Sequence, residues 1–291
     1  MNDVSSSPPT SPDRPFASVA ILGLGAMGGS LARALSFLES APTVVGWSPL
    51  QEERAAAVDA GAVASAPPEW QDAVAGAELV VVAVPLKASC ELVAGLAGAT
   101  SPEVTLTDVA SLKVPLARAV AEADAEDRWV GSHPMSGTEK SGFAASRGDL
   151  YQGARVWTVA HPAASPRVTG LHELWSSLGA RPASIGAEEH DRLMAMASHL
   201  PQLVANALAG VLARHDVGPD GLGPGGADMT RLAASSPELW RDIFEHASPE
   251  LAVGLRTLAD TSRWIADLLE DGDLEGIERP MRDTREWRRG T

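Results

Sequence analysis

Two short polar loops hold most of the residues able to move a proton or grip a small molecule. One is Gly131-Ser132-His133-Pro134-Met135-Ser136-Gly137-Thr138-Glu139-Lys140-Ser141-Gly142, which sets a single imidazole among hydroxyls and glycines. An imidazole ionising near neutrality suits general acid–base work. The proline that follows His133 keeps the histidine backbone extended, because the residue before proline avoids the helical region. The other loop is Asp108-Val109-Ala110-Ser111-Leu112-Lys113. A third motif, Gly23-Leu24-Gly25-Ala26-Met27-Gly28, fits G-x-G-x-x-G between an apolar run ending at Leu22 and a stretch in helical spacing. In that context Gly23 permits a tight turn, Gly25 lets the backbone approach a pyrophosphate, and Gly28 lets the helix pack on the strand. The amides of Ala26 and Met27, at the helix start, would then hold the diphosphate.

Positioning these loops takes a sheet. Val19 to Leu22, Thr43 to Gly46, Leu79 to Val84 and Thr105 to Val109 read as strands, with later ones at Trp129 to Gly131 and Val156 to Val159. Helical spacing fills Ser30 to Leu38 and Glu52 to Ala60. Strands apolar on both faces that alternate with helices describe a parallel, doubly wound α/β sheet of the Rossmann type. Its ligands bind beyond the carboxyl ends of the strands, where the loops of Ser111 and His133 begin. An acidic residue usually follows the glycines by about 20 positions to bond the 2′-hydroxyl of NAD. Ser48 stands there instead, with Arg54 following, which favours NADP over NAD.

From about Glu188 the texture becomes helical. Ala187 to Leu212 reads as one long apolar helix, interrupted near Pro201. So apolar a helix needs burial in a helical domain or against another subunit, and a homodimer is expected. The expected plan is a disordered Ser- and Pro-rich leader over 1–15, a dinucleotide-binding domain over 16–186, and an all-α substrate and dimerisation domain over 187–291. The net charge of −15 opposes binding to nucleic acid. No apolar run approaches the roughly 18 residues of a membrane span, and no signal-like start precedes the leader, so a cytoplasmic location is expected. Cys90, the single cysteine, reads as a small core residue. His172, His190, His215 and His246 show no metal-ligand spacing with carboxylates, so no metal is expected. His190 and Asp191 are adjacent, which on a helix points their side chains in different directions.

The run Gly131 to Gly142 resembles the signature loop of the prephenate and arogenate dehydrogenase family. Asp108 to Lys113 resembles the family's preceding loop, Ser198-His199-Leu200-Pro201 its helical-domain motif, and Asp228 to Trp240 another. The resemblance implies an enzyme that uses NAD or NADP. Hydride leaves the ring carbon bearing the 4-hydroxyl of a cyclohexadienyl acid, and aromatisation expels carbon dioxide. It implies that His133 removes the hydroxyl proton, that Ser111 orients that imidazole, and that Arg231 binds a substrate carboxylate through its planar fork. His199 and Glu139 line the pocket, Glu139 in a gating ion pair. Gln202 departs from the family, where a histidine commonly continues Ser-His-Leu-Pro, and this leaves open prephenate, giving 4-hydroxyphenylpyruvate, against arogenate, giving tyrosine. Each residue has a plainer reading: Ser111 as a helix cap, Arg231 in a surface ion pair, His199 in a core. Two other functions compete. A β-hydroxyacid dehydrogenase or imine reductase usually relies on a helical-domain lysine, and none follows Lys140. A non-enzymatic dinucleotide sensor would need neither Ser111, His133 nor Arg231.

Overall fold

The computed structural model describes residues 15–137, 140–246 and 249–290; Glu139 and nearly all of the 1–15 leader lie outside them. The chain divides into two compact units, Met1–Met194 with Ala234–His246, and Ala195–Ala233 with Ala247–Thr291.

The first unit is built on four parallel strands, β1 (Ser18–Leu22), β2 (Thr43–Trp47), β3 (Leu79–Val82) and β4 (Thr105–Asp108), in the order β2-β1-β3-β4. Successive side chains of a strand point to opposite faces, and here both faces are apolar. Val19, Ile21, Leu79 and Val81 join a core with Leu31 and Leu35 of α1 (Ala26–Ser36) and Leu171 and Trp175 of α6 (Ser165–Ser177). Ala20, Leu22, Val80 and Val82 join another with Val93 and Leu96 of α4 (Leu86–Ala99) and Leu116 and Val120 of α5 (Val114–Glu122). Each large aliphatic side chain so buried contributes about 1.5–3 kcal/mol. Two shorter helices, α2 (Gln51–Asp59) and α3 (Trp70–Val74), lie between β2 and β3 in the chain.

The later strands depart from the parallel expectation. β5 (Val130–Pro134) and β6 (Arg155–Ala160) are antiparallel, and β7 (Arg181–Ser184) adds to β6 in parallel as a separate sheet. A parallel return needs a crossover, usually a helix. Between β5 and β6 the described residues form only the short 3-10 turn Phe143–Ala145. One bridge, Leu106 to Trp129, links this sheet to β4. Helices α7 (Ala187–Met194) and α10 (Pro237–Glu245) also belong to this unit.

The second unit is helical: a π-helical turn (Ala195–His199), α8 (Leu200–Arg214), α9 (Pro224–Thr230), α11 (Pro249–Glu270) and α12 (Leu274–Arg289). The interruption expected near Pro201 is this π turn. Pro201 lacks the N–H that would close the preceding turn, and a widened turn absorbs the missing bond. Gly254 of α11 lets the helix approach Met196 and Leu200, since a Cβ there would lie 3.1 Å from the Met196 methyl. α8 buries only Gln202 and Ala205, while Val253, Leu269, Met281 and Trp287 are exposed. Among the described residues no helix is long and apolar enough to cross a membrane.

Candidate active site

The glycine loop runs from β1 into α1. Gly23 has φ +111°, and a Cβ on it would stand 2.4 Å from the Ala83 carbonyl oxygen, so no side chain fits. A Cβ on Gly28 would lie 1.8 Å from the Gly23 carbonyl oxygen, which fixes how closely the helix returns over the turn. Gly25 differs: the nearest atom to its added Cβ is Glu53 Oε1, 4.0 Å away. Space is therefore open over Gly25, and among the described residues no side-chain cap bond is made at the start of α1. This is the space and polarity a dinucleotide diphosphate requires, with Ala26 and Met27 at the helix start.

At the end of β2, Ser48 is buried and donates to Glu53 Oε2 at 2.5 Å. Arg54 Nη1 donates to the Ser48 carbonyl at 2.5 Å. One donor of the guanidinium offered as a partner for a 2′-phosphate is thus taken by backbone, and a carboxylate stands beside Gly25. Glu53 was hidden within the acidic first turn of α2, where nothing in the sequence says which carboxylate turns inward. A carboxylate at this place opposes the expected lean to NADP, which rested on there being none.

His133 sits near the end of β5, paired across the strands with Trp157. Its Nδ1 lies 2.9 Å from His190 Nε2, and the rings meet edge to face. His190 Nδ1 lies 2.7 Å from Asp191 Oδ1. Neighbours on a helix do not share a face, yet these short, buried side chains meet. Asp191 also accepts from the backbone N–H of Lys113 at 2.8 Å and of Val114 at 2.9 Å, capping the free amides at the start of α5. Among the described residues no hydrogen bond joins half-buried Ser111 to His133, and the contact seen at the imidazole Nδ1 is that of His190. Neither His190 nor Asp191 stood out in the sequence as a site residue. The available signal was a histidine at 190 in helical register with Met194, both of them buried.

The loop around Ser111 is pinned at its ends. Lys113 and Asp108, both buried, form an ion pair, and Lys113 Nζ also donates to the Ser132 carbonyl at 2.5 Å. Trp129 Nε1 and the Ala110 amide donate to Asp108 at 3.1 and 2.9 Å. Burial pushes the Lys113 ammonium below its ordinary pKa, and the Asp108 charge opposes that shift. A cavity of about 300 Å³ opens beside this pair, lined by Leu116, Val120 and Trp129 among others. Neither His133, Ser111 nor the glycine loop lines it. Beyond Gly142, which has φ +78°, Phe143 packs against Gly29 and under the Arg33 guanidinium, tying the His133 loop to α1.

In the second unit His199 is buried at the end of the π turn, and Arg231 is exposed where α9 ends. Gln202 Nε2 donates to the Leu232 carbonyl and to Asn206 Oδ1, both at 2.8 Å, so it holds the turn that carries Arg231.

The model of the prephenate dehydrogenase nucleotide-binding domain matches residues 31–183, and that of the prephenate dehydrogenase dimerization domain matches residues 186–283. The chain belongs to the prephenate dehydrogenase family. A cyclohexadienyl dehydrogenase of Zymomonas mobilis is 33% identical over 87% of this chain and 86% of its own length. A prephenate dehydrogenase of Bacillus subtilis is 28% identical over 94% of this chain and 75% of its own. The crystal structure of the Aquifex aeolicus prephenate dehydrogenase, in complex with hydroxyphenyl propionate and NAD+, superposes at a TM-score of 0.84 with 28% identity, over 94% of this chain and 97% of that one. Membership of the prephenate dehydrogenase family makes the chain an oxidoreductase that works with a nicotinamide dinucleotide, which sets the non-enzymatic sensor aside.

Proposed function

We propose that the chain oxidatively decarboxylates prephenate to 4-hydroxyphenylpyruvate, in tyrosine biosynthesis. The observation that carries this reading is His133, held at the end of β5 in a loop tied to the cofactor helix, with its Nδ1 already engaged. When bound, the nicotinamide accepts the hydride. His133 Nε2 takes the proton of the 4-hydroxyl as its carbon becomes a carbonyl. The carbon–carboxylate bond at the opposite ring position then breaks. Its electron pair aromatises the ring, carbon dioxide leaves, and the proton returns to the phenolate. Ser111, in the loop that follows β4, is assigned to the lining of this site. Arg231 keeps the role of binding a substrate carboxylate, and His199 and Glu139 that of pocket residues. Replacing Arg231 with Gln is expected to raise KM about 10- to 100-fold, as losing a charged hydrogen bond costs about 1.5–3 kcal/mol. A substrate titration with unchanged KM would remove that role.

We propose NAD+ as the preferred dinucleotide, because a 2′-phosphate would approach the Glu53 carboxylate. Two unit charges about 5 Å apart repel by roughly 1–3 kcal/mol at an effective dielectric between that of water and that of a protein surface. Glu53→Gln is expected to raise the NADP+/NAD+ ratio of kcat/KM about tenfold or more. An unchanged ratio would mean that Glu53 does not discriminate. The exposed apolar residues of α11 and α12 support a homodimer; a single-chain mass in light scattering would exclude it.

The test of the function is an initial-rate assay crossing prephenate and arogenate with NAD+ and NADP+. Activity is expected with prephenate and NAD+, and silence in all four combinations, with dinucleotide binding intact, would overturn the reading.

A further inference from the structure

We propose that His190 and Asp191 are positioning residues for His133, holding its imidazole in the tautomer that carries the proton on Nδ1 and presents Nε2 as the base. This rests on the reading of His133 as the catalytic base. The direction of the chain of hydrogen bonds is set at its far end. Backbone amides can only donate, so Asp191 Oδ1, which takes the Lys113 N–H, and Oδ2, which takes the Val114 N–H, are both acceptors. His190 Nδ1, 2.7 Å from Oδ1, must then carry a hydrogen. In the neutral ring His190 Nε2 is left with its lone pair, and it accepts from His133 Nδ1 at 2.9 Å. The His133 lone pair is thereby confined to Nε2. A neutral imidazole has one donor and one acceptor nitrogen, so an alternating chain of two rings admits a single assignment once the carboxylate is fixed.

Burial makes the assignment hold. His190 is fully buried and Asp191 is 6% exposed, so bulk water does not compete for these bonds. The carboxylate is anchored by two amides of α5, a helix end that cannot rotate away. The neighbouring cation, Lys113, directs its ammonium to Asp108 and the Ser132 carbonyl. Asp191, which also feels the Lys113 charge without a direct ion pair to it, is the carboxylate in line to compensate the positive charge that arises on the two imidazoles when His133 takes the substrate proton. The logic matches that of a buried aspartate orienting a catalytic histidine in a hydrolase triad, with a second imidazole inserted between them.

The test is 15N NMR of the full-length chain labelled at histidine, with the His133 signals assigned by their loss in His133→Asn. The wild-type neutral ring is expected as the Nδ1–H tautomer. In Asp191→Asn one of the two α5 amides loses its acceptor, and in the rotamer that turns the NH2 toward His190 Nδ1 and away from Val114 the chain reverses and puts the His133 proton on Nε2, where it blocks the base. That variant is expected to lose about 10²- to 10⁴-fold in kcat, with KM and NAD+ affinity changed less than about threefold. Because the introduced carboxamide caps α5 less well than the carboxylate, His190→Gln provides a second variant with Asp191 intact. It is expected to give mixed His133 tautomers and a smaller loss of kcat. A wild-type Nε2–H tautomer would overturn the proposal, as would variants that lose activity while His133 keeps its wild-type tautomer. An inactive wild-type enzyme would instead count against the function, and the tautomer measurement would still decide the relay.

Discussion

His133→Asn is expected to lower kcat by about 10²- to 10⁴-fold, the usual contribution of a positioned acid–base group, while NAD+ affinity stays within about twofold. The amide cannot accept the hydroxyl proton, so the oxygen that must become a carbonyl keeps its hydrogen as hydride departs. Little else should change. Asn can still donate to His190 Nε2, so the buried acceptor keeps a partner, and the β5–β6 pairing is made by backbone. The glycine loop proposed to cradle the cofactor runs from β1 into α1, and its geometry does not depend on the imidazole. Initial rates at saturating substrate, together with a dinucleotide titration, measure both quantities. Turnover equal to wild type would take His133 out of the mechanism, and a matching loss of dinucleotide affinity would make it a structural residue.

The parts of this molecule legible in its sequence are those set by local chemistry. The glycine loop could be read because a tight turn, a bare helix start and a close helix–strand contact each exclude a side chain at a particular position, and Gly23, Gly25 and Gly28 supply all three. The parallel core could be read because residues 79–82 are apolar at every position, which only a strand covered on both faces tolerates. Strand direction could not: β5 and β6 carry the same residue types in either orientation. The missing helix between them was the only clue to their antiparallel pairing. Glu53 and Asp191 were invisible for a related reason. Each is a carboxylate in the first turns of a helix, where acidic residues are common for the dipole alone. What distinguishes Asp191 is α5, whose amides come from residues 77 and 78 positions away. His190 was discounted because adjacent helix positions diverge, an argument about faces that overlooks how little reach a buried imidazole and carboxylate need.

The other large effect is on stability. Lys113→Met is expected to cost about 3–5 kcal/mol in urea unfolding, the range for breaking a buried ion pair on one side. Lys113 is 2% exposed and Asp108 0%. With the ammonium gone, the buried Asp108 carboxylate keeps, among the described residues, the Trp129 and Ala110 N–H donors. On the Gly131 side the pair is closely packed, since an added Cβ there would come within 3.1 Å of Asp108 Oδ2. The double variant Asp108→Asn with Lys113→Met should recover much of the loss, because it removes the stranded charge along with its partner. Such non-additivity is the signature of a coupled pair. If the single variant cost under about 1 kcal/mol, water would have to reach Asp108. The loop from Asp108 to Lys113, and with it Ser111 and the α5 amides that hold Asp191, would then be kept in place by something other than this ion pair.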